Sequence, residues 1–211
     1  MRLRAWVAAR EALVPLHGGD PRQALLLARR ARDLAGNGAC AARALALATE
    51  GRALAELSAV AGARSPAMAG QARSALEQAR AAYENVPAAE RADTALGYTE
   101  RQLNFHTGDA LTRLGAEQHA RWYLEAALAG YPPEEALDRA LIGLASAECR
   151  MHAGEPAEAL RLAREAVLAV PEAARCELIL DRAGRLARTI VARHGETRAT
   201  RDFHEVLVRP A

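Results

Sequence analysis

The sequence predicts an all-α protein of about ten helices, arranged in antiparallel pairs. Alanine supplies much of the 51% hydrophobic content, whereas aromatic residues make up only 4%. Small side chains let helices approach one another closely, so this composition favours stacked helices. Apolar residues recur three and four positions apart along the chain, and no stretch alternates convincingly with period two.

The first predicted pair covers residues 3–36. A helical pattern over 3–16 should end or kink near Pro15, because proline lacks the N–H that an α-helix needs. Asp20 can then cap a second helix, whose first turn begins with proline. This second helix is predicted to run over about 21–34, where glycines follow it.

The second predicted pair covers residues 39–87. A long helical run extends from Ala39 to about Val60, and Gly62 should end it. The dipeptide Ser65-Pro66 joins a good capping residue to a residue suited to the first helical turn. It therefore predicts the start of the next helix, which should stop near Asn85.

The third predicted pair, 93–132, contains most of the few aromatic residues in the chain. Its first helix should run from Asp93 to Leu114, and Gly115 should separate it from the second. The patterns further along predict a fourth pair and then a C-terminal capping pair. These two pairs cover residues 134–171 and 172–208.

A fixed spacing recurs in the first four pairs. A glycine is followed by residues five, nine and twelve positions later, and a proline or glycine stands seventeen positions later. Alanine fills 11 of the 12 middle positions, which places small residues on one stripe of each second helix. The four copies are Gly19 to Gly36, Gly70 to Pro87, Gly115 to Pro132 and Gly154 to Pro171.

This spacing resembles the tetratricopeptide repeat (TPR), a helix pair of about 34 residues. Gly108, Leu111, Ala120, Leu124 and Pro132 occupy positions of that pattern. The units here are spaced by 51, 45 and 39 residues, and the usual tryptophan and tyrosine of the first helix are missing. The resemblance implies an irregular TPR-like α–α solenoid, a right-handed superhelix formed by the whole chain as a single domain over 1–211.

A narrower resemblance rests on the segments DTALGYTERQLNFHTGDALTRLG, YPPEEALDRAL and RDFHEVL. They look like the C-terminal region of actinobacterial XRE-type helix-turn-helix regulators, which lies after a DNA-binding domain. The resemblance implies a sensory module that binds a protein, a peptide or a small regulatory ligand and assists oligomerisation. A cytoplasmic location is expected on other grounds, because the N-terminus is charged throughout and lacks a secretory apolar core. This chain starts directly in the repeat region, so no helix-turn-helix segment is expected in it.

Direct nucleic-acid binding by this segment is not expected. All 28 basic residues are arginine, but they are interleaved with 26 acids and the net charge is only +2. No run is long and apolar enough for a membrane span. No metal-binding or cofactor-binding motif appears, and the three cysteines are expected to be reduced, buried apolar residues.

Candidate binding residues lie on the first helices of the pairs, which line the concave groove of a TPR superhelix. On the central helix the predicted core face is Leu96, Leu103, Ala110, Leu111 and Leu114. The opposite stripe mixes aromatic and polar groups, as recognition surfaces do. The predicted groove residues are Tyr98, Gln102, Phe105, Asp109, Thr112 and Arg113, followed on the next pair by Leu144, Glu148, Met151 and His152.

Three alternatives stay open at this point. Tyr98 and Phe105 can instead pack in the core between neighbouring helix pairs, and Trp6 is expected in the core. The chain can be a self-association scaffold, a homodimer formed through its end helices. The third alternative is a small-molecule or enzymatic pocket around His106 and Asp109, although no nucleophile is matched to that histidine.

Overall fold

The computed structural model describes residues 2–60 and 65–208, and all regular structure in these ranges is helical. The predicted helix terminator Gly62 lies outside the described residues. The helices are α1 Arg2–Glu11, α2 Leu13–His17, α3 Pro21–Ala35, α4 Ala41–Val60, α5 Pro66–Glu84, α6 Ala88–Arg91, α7 Glu100–Arg113, α8 Glu117–Gly130, α9 Ala136–His152, α10 Pro156–Leu168, α11 Glu177–His194 and α12 Arg198–Val208. Of these twelve, α2 and α6 have 5 and 4 residues, which leaves ten longer helices in the described ranges. The all-α prediction is confirmed, and the helix count is close to the predicted one.

The chain divides into two compact units, Met1–Ala116 and Glu117–Ala211. The first unit is built around α4, which contacts α1, α3, α5 and α7. Most described residues of α4 are buried, because neighbouring helices cover it on several sides. In the second unit α9 contacts α8, α10 and α11, and α12 packs on α10 and α11 through the buried Phe203. The single domain over 1–211 stays a prediction.

Most helix ends follow the capping and breaking residues of the sequence. The Asp20 carboxylate accepts a hydrogen bond from the Gln23 N–H (3.0 Å), and the Ser65 hydroxyl accepts one from the Met68 N–H (3.4 Å). Gly19 and Gly154 have φ angles of 84° and 81°, values that residues other than glycine rarely adopt. The predicted starts of α3 and α5 are therefore confirmed, and α10 begins at Pro156, just after Gly154.

The repeated alanine spacing corresponds to buried helix faces. Ten of the twelve middle positions are buried, and Ala82 and Ala166 are half-buried. The helices also approach closely at two glycines. A Cβ atom on Gly51 would lie 2.8 Å from the Leu76 side chain, and one on Gly143 would lie 2.8 Å from the Cβ of Ala166. These contacts join α4 to α5 and α9 to α10, two of the predicted pairs.

The start of α7 differs from the prediction. The helix begins at Glu100 rather than Asp93, because Thr99 and Gln102 form a capping box. The Thr99 hydroxyl accepts from the Gln102 N–H (3.4 Å), and the Gln102 side chain accepts from the Thr99 N–H (2.9 Å). The residues before it form a loop in which Leu96 is exposed, so Leu96 is not the core residue that was predicted.

Two further boundaries differ from the repeat pattern. Gly70 lies inside α5 instead of marking its start, since the Ser65 cap begins that helix earlier. A 3₁₀ turn at Glu172–Ala174 precedes α11, which begins at Glu177 instead of Glu172. Cys40 and Cys149 are buried as predicted, whereas Cys176 is exposed because it lies at the N-cap position just outside α11.

Candidate functional site

The predicted groove residues of α7 lie mainly in the interior. Phe105, Asp109 and Thr112 are buried, although an open stripe was predicted for them. This correction has a physical cause: α7 packs against α4, and these side chains lie in the packed region. Tyr98 is also buried and precedes the helix, and Gln102 serves as a helix-capping residue. Whether these residues also contact a ligand stays a prediction.

A buried ion pair joins α4 to α7. The Nε and Nη2 atoms of Arg52 donate to one carboxylate oxygen of Asp109, at 3.0 and 2.7 Å. The two side chains are only 4% and 6% exposed. The Arg52 guanidinium also lies over the Phe105 ring, 5.4 Å from its centroid. Together these contacts fix the position of the guanidinium group.

The Nη1 atom of Arg52 is a buried donor without a hydrogen-bond partner among the described residues. Nearby, Arg113 of α7 forms a half-buried ion pair with Glu56 of α4, with 2.9 Å between Nε and Oε1. Two arginine–carboxylate pairs therefore join these two helices. In the Arg52–Asp109 pair, the arginine keeps one buried donor atom, Nη1, without a partner among the described residues.

His106 lies in the same interior region and pairs with Tyr98. Its Nδ1 atom is 2.9 Å from the Tyr98 hydroxyl, and the two rings stack with centroids 5.7 Å apart. Burial lowers the pKa of His106 well below its usual value, and the positive charges of Arg52, His17 and Arg10 lower it further. The negative charge of Asp109 raises this pKa, but by less than burial lowers it. The imidazole is therefore neutral near pH 7, and Nδ1 can accept the hydroxyl proton of Tyr98.

A similar pair lies in the second unit. Arg182 of α11 donates to Glu148 of α9 at 2.9 Å, and each side chain is 5% exposed. Leu144 and Met151, two other predicted groove residues, are buried, and their contact with a ligand stays a prediction. His152 is half-buried at the end of α9. In each unit, a buried arginine–carboxylate pair thus joins the first helices of two consecutive predicted pairs.

Arg52 and Arg182 are functional candidates that were not predicted from the sequence. Each is a buried arginine on a helix whose neighbouring positions are largely alanine and leucine or isoleucine. A charged residue on an apolar helical face is the signal that could have identified them, since arginine is rarely fully buried without a partner. Glu50 was not predicted either; its carboxylate accepts hydrogen bonds from Arg29 (3.0 Å) and Arg32 (2.7 Å) beside a cavity of about 240 Å³.

Trp6 takes the core position that its pattern favoured. The side chain is buried, and its indole N–H donates to the Ala95 carbonyl at 3.0 Å. This bond ties α1 to the loop that precedes α7. The Tyr98 N–H donates to the Glu90 carbonyl at 2.9 Å and ties the same loop to α6.

Within residues 2–60 and 65–208, no three histidine, cysteine, aspartate or glutamate side chains are grouped as a metal ion would require. None of the helices there has the length and apolar character needed to cross a membrane. Comparisons with protein-family models, with curated proteins and with solved structures find no match to this chain.

Proposed function

We propose that the chain is a non-catalytic, TPR-like interaction module that binds a protein, a peptide or a small regulatory ligand with the first helices of its helix pairs. The observation that carries this proposal is the unpaired Nη1 atom of Arg52. Leaving a buried donor unsatisfied costs about 1–3 kcal/mol, and more for a charged group. Such atoms are rare in native structures. A carbonyl or carboxylate oxygen of a ligand would satisfy this one.

The surroundings of Arg52 suit a recognition role. Asp109 holds one edge of the guanidinium, and the Phe105 ring supports its face. The remaining edge is thereby oriented in advance, which lowers the entropy lost on binding. Because Nη1 is buried, a ligand reaches it only when the covering side chains move. Binding would therefore be coupled to a change in conformation, as a sensory module requires.

The buried ion pairs also favour recognition over stability. Replacing such a pair by apolar residues of similar volume is often neutral or stabilising, because taking two charges out of water is costly. The pairs Arg52–Asp109 and Glu148–Arg182 are thus a poor device for holding helices together. In each unit, the pair lies between first helices, which are the helices that the proposal assigns to binding.

The regulatory context of the proposal comes from the resemblance to XRE-type regulators. We propose on this basis that the module is the sensory part of a bacterial transcriptional regulator and binds no nucleic acid itself. We propose no reaction, because Tyr98 and Arg52 engage the two groups that a catalytic pocket would use, His106 and Asp109. A similar fold does not by itself establish a function, so the experiment below tests the site at Arg52 directly.

The test compares two doubly substituted chains with the parent chain. Short random peptides displayed on phage are selected on the parent chain, and their affinities are measured by calorimetry. The double substitution Arg52→Met with Asp109→Leu should keep the fold, since it replaces both charges, and should weaken the selected peptides at least about tenfold. The control, Arg161→Met with Glu158→Leu, removes an exposed pair on α10 and should change nothing. Equal affinity for the Arg52 double variant would contradict the proposal.

A further inference from the structure

A cavity of about 850 Å³ opens between α11 and α12 in the second unit. Its volume lies in the range of binding sites. Leu180, Ala187, Val191 and Leu207 supply its apolar lining. Gly184 lies in the middle of α11 and has no side chain, so the cavity extends to the backbone of the helix at this point. The cavity, called the terminal groove below, is separate from the arginine–carboxylate pairs already described.

Charged and titratable side chains surround the terminal groove and are all exposed. None of them has an ion-pair partner among the described residues. Three are carboxylates, two are arginines and one is a histidine, so the two signs are nearly balanced. The six residues are Asp181, Arg188, Glu196, Arg201, His204 and Glu205.

The balance of charges decides between kinds of partner. A groove of one sign would select an oppositely charged partner, whereas a mixed groove requires a partner with a matching mixture. In a twofold contact the same patch meets itself, so it must contain both signs together with an apolar centre. The terminal groove meets both requirements. Val191 and Val208, which are 37% and 60% exposed, would also be covered by such a contact.

We propose that the terminal groove is a self-association site, in which α12 of a second copy of this chain packs between α11 and α12. The contact is twofold symmetric, so each copy supplies one α12 and one groove. Arginines of one copy face carboxylates of the other, and the valines meet near the centre. This dimer is independent of the ligand site at Arg52, and either can fail without the other.

Complementary charge variants test the identity of the partner. Arg188→Glu with Arg201→Glu makes the terminal groove acidic, and Asp181→Arg with Glu205→Arg makes it basic. All four residues are exposed, so the fold should persist, which circular dichroism checks. In sedimentation experiments over a wide concentration range, the parent chain should dimerise and each variant alone should stay monomeric. An equimolar mixture of the two variants should form a heterodimer. A monomeric parent chain, or a mixture that does not associate, would overturn the proposal.

A steric variant gives a second test at the same groove. A Cβ atom on Gly184 would meet only the flexible end of Arg188, at 3.2 Å, so Gly184→Leu should fit within one copy. Leucine also favours helix more than glycine does. The variant should therefore melt no lower than the parent chain but lose at least about tenfold in dimer affinity. Unchanged dimerisation of Gly184→Leu would exclude the terminal groove as the interface.

Discussion

Buried polar residues distinguish the interior of this chain from an ordinary alanine-rich core. Arg52, Asp109 and His106 lie within the first unit, and each is positioned by a specific partner. Buried polar groups of this kind specify one arrangement only when their bonds are satisfied. Arg52 departs from that rule at one atom, Nη1, and this departure is the basis of the proposed function.

The titration of His106 gives a prediction at the scale of the residue. Burial, reinforced by Arg52, His17 and Arg10 and opposed by Asp109, keeps its folded pKa well below the unfolded value. Burying His106 in its neutral form therefore costs the folded state nothing extra above a pH of about 6.5. Below that pH the unfolded chain binds the proton more readily, so the free energy of unfolding decreases as the pH falls towards the folded pKa. The slope is at most about 1.4 kcal/mol per pH unit for one proton.

The comparison with His106→Gln isolates this effect, because glutamine removes the titration and keeps a group that can accept from Tyr98. Urea unfolding of both chains between about pH 7.5 and 5.5 should show the parent chain losing stability faster than the variant on acidification. Parallel stability curves for the two chains would show that His106 can take up a proton in the folded state.

At the scale of the helix, sequence signals predicted most boundaries because they act locally. Asp20 and Ser65 cap helices through atoms only three residues away. The start of α7 was predicted wrongly because its periodic pattern extends back over the loop, and the Thr99 capping box was overlooked. Exposure could not be predicted in the same way. The side of α7 that carries Phe105 and Asp109 is covered by α4, and the periodicity of one helix cannot show which other helix packs against it.

The close approach of α9 and α10 gives a prediction at the scale of the element. In Gly143→Ala, the new Cβ would lie 2.8 Å from the Cβ of Ala166, and neither atom can rotate away. The helices must separate, which should cost about 1–3 kcal/mol in the free energy of unfolding. Adding Ala166→Gly exchanges the two residues and should restore most of that loss in urea titrations. If the double variant is no more stable than Gly143→Ala alone, this contact does not set the helix spacing.

At the scale of the whole molecule, the same two kinds of contact recur in both compact units. Alanine stripes allow close contact within pairs, and buried arginine–carboxylate pairs join first helices of successive pairs. The sequence predicted the first of these, because small residues at fixed spacing are visible in the chain. The ion pairs join residues 57 and 34 positions apart, a separation that no local pattern specifies. Asp109 and Glu148 were candidates from the sequence, whereas their arginine partners Arg52 and Arg182 emerged only from the structure.

The most direct test of the proposed function is a crystal structure of the chain bound to one of the selected peptides. A carbonyl or carboxylate oxygen of the peptide should lie about 2.7–3.2 Å from Nη1 of Arg52, with the Asp109 contact retained. The side chains above that atom should be displaced relative to the free chain. A peptide bound elsewhere, with Nη1 of Arg52 still buried and unpaired, would contradict the proposed function.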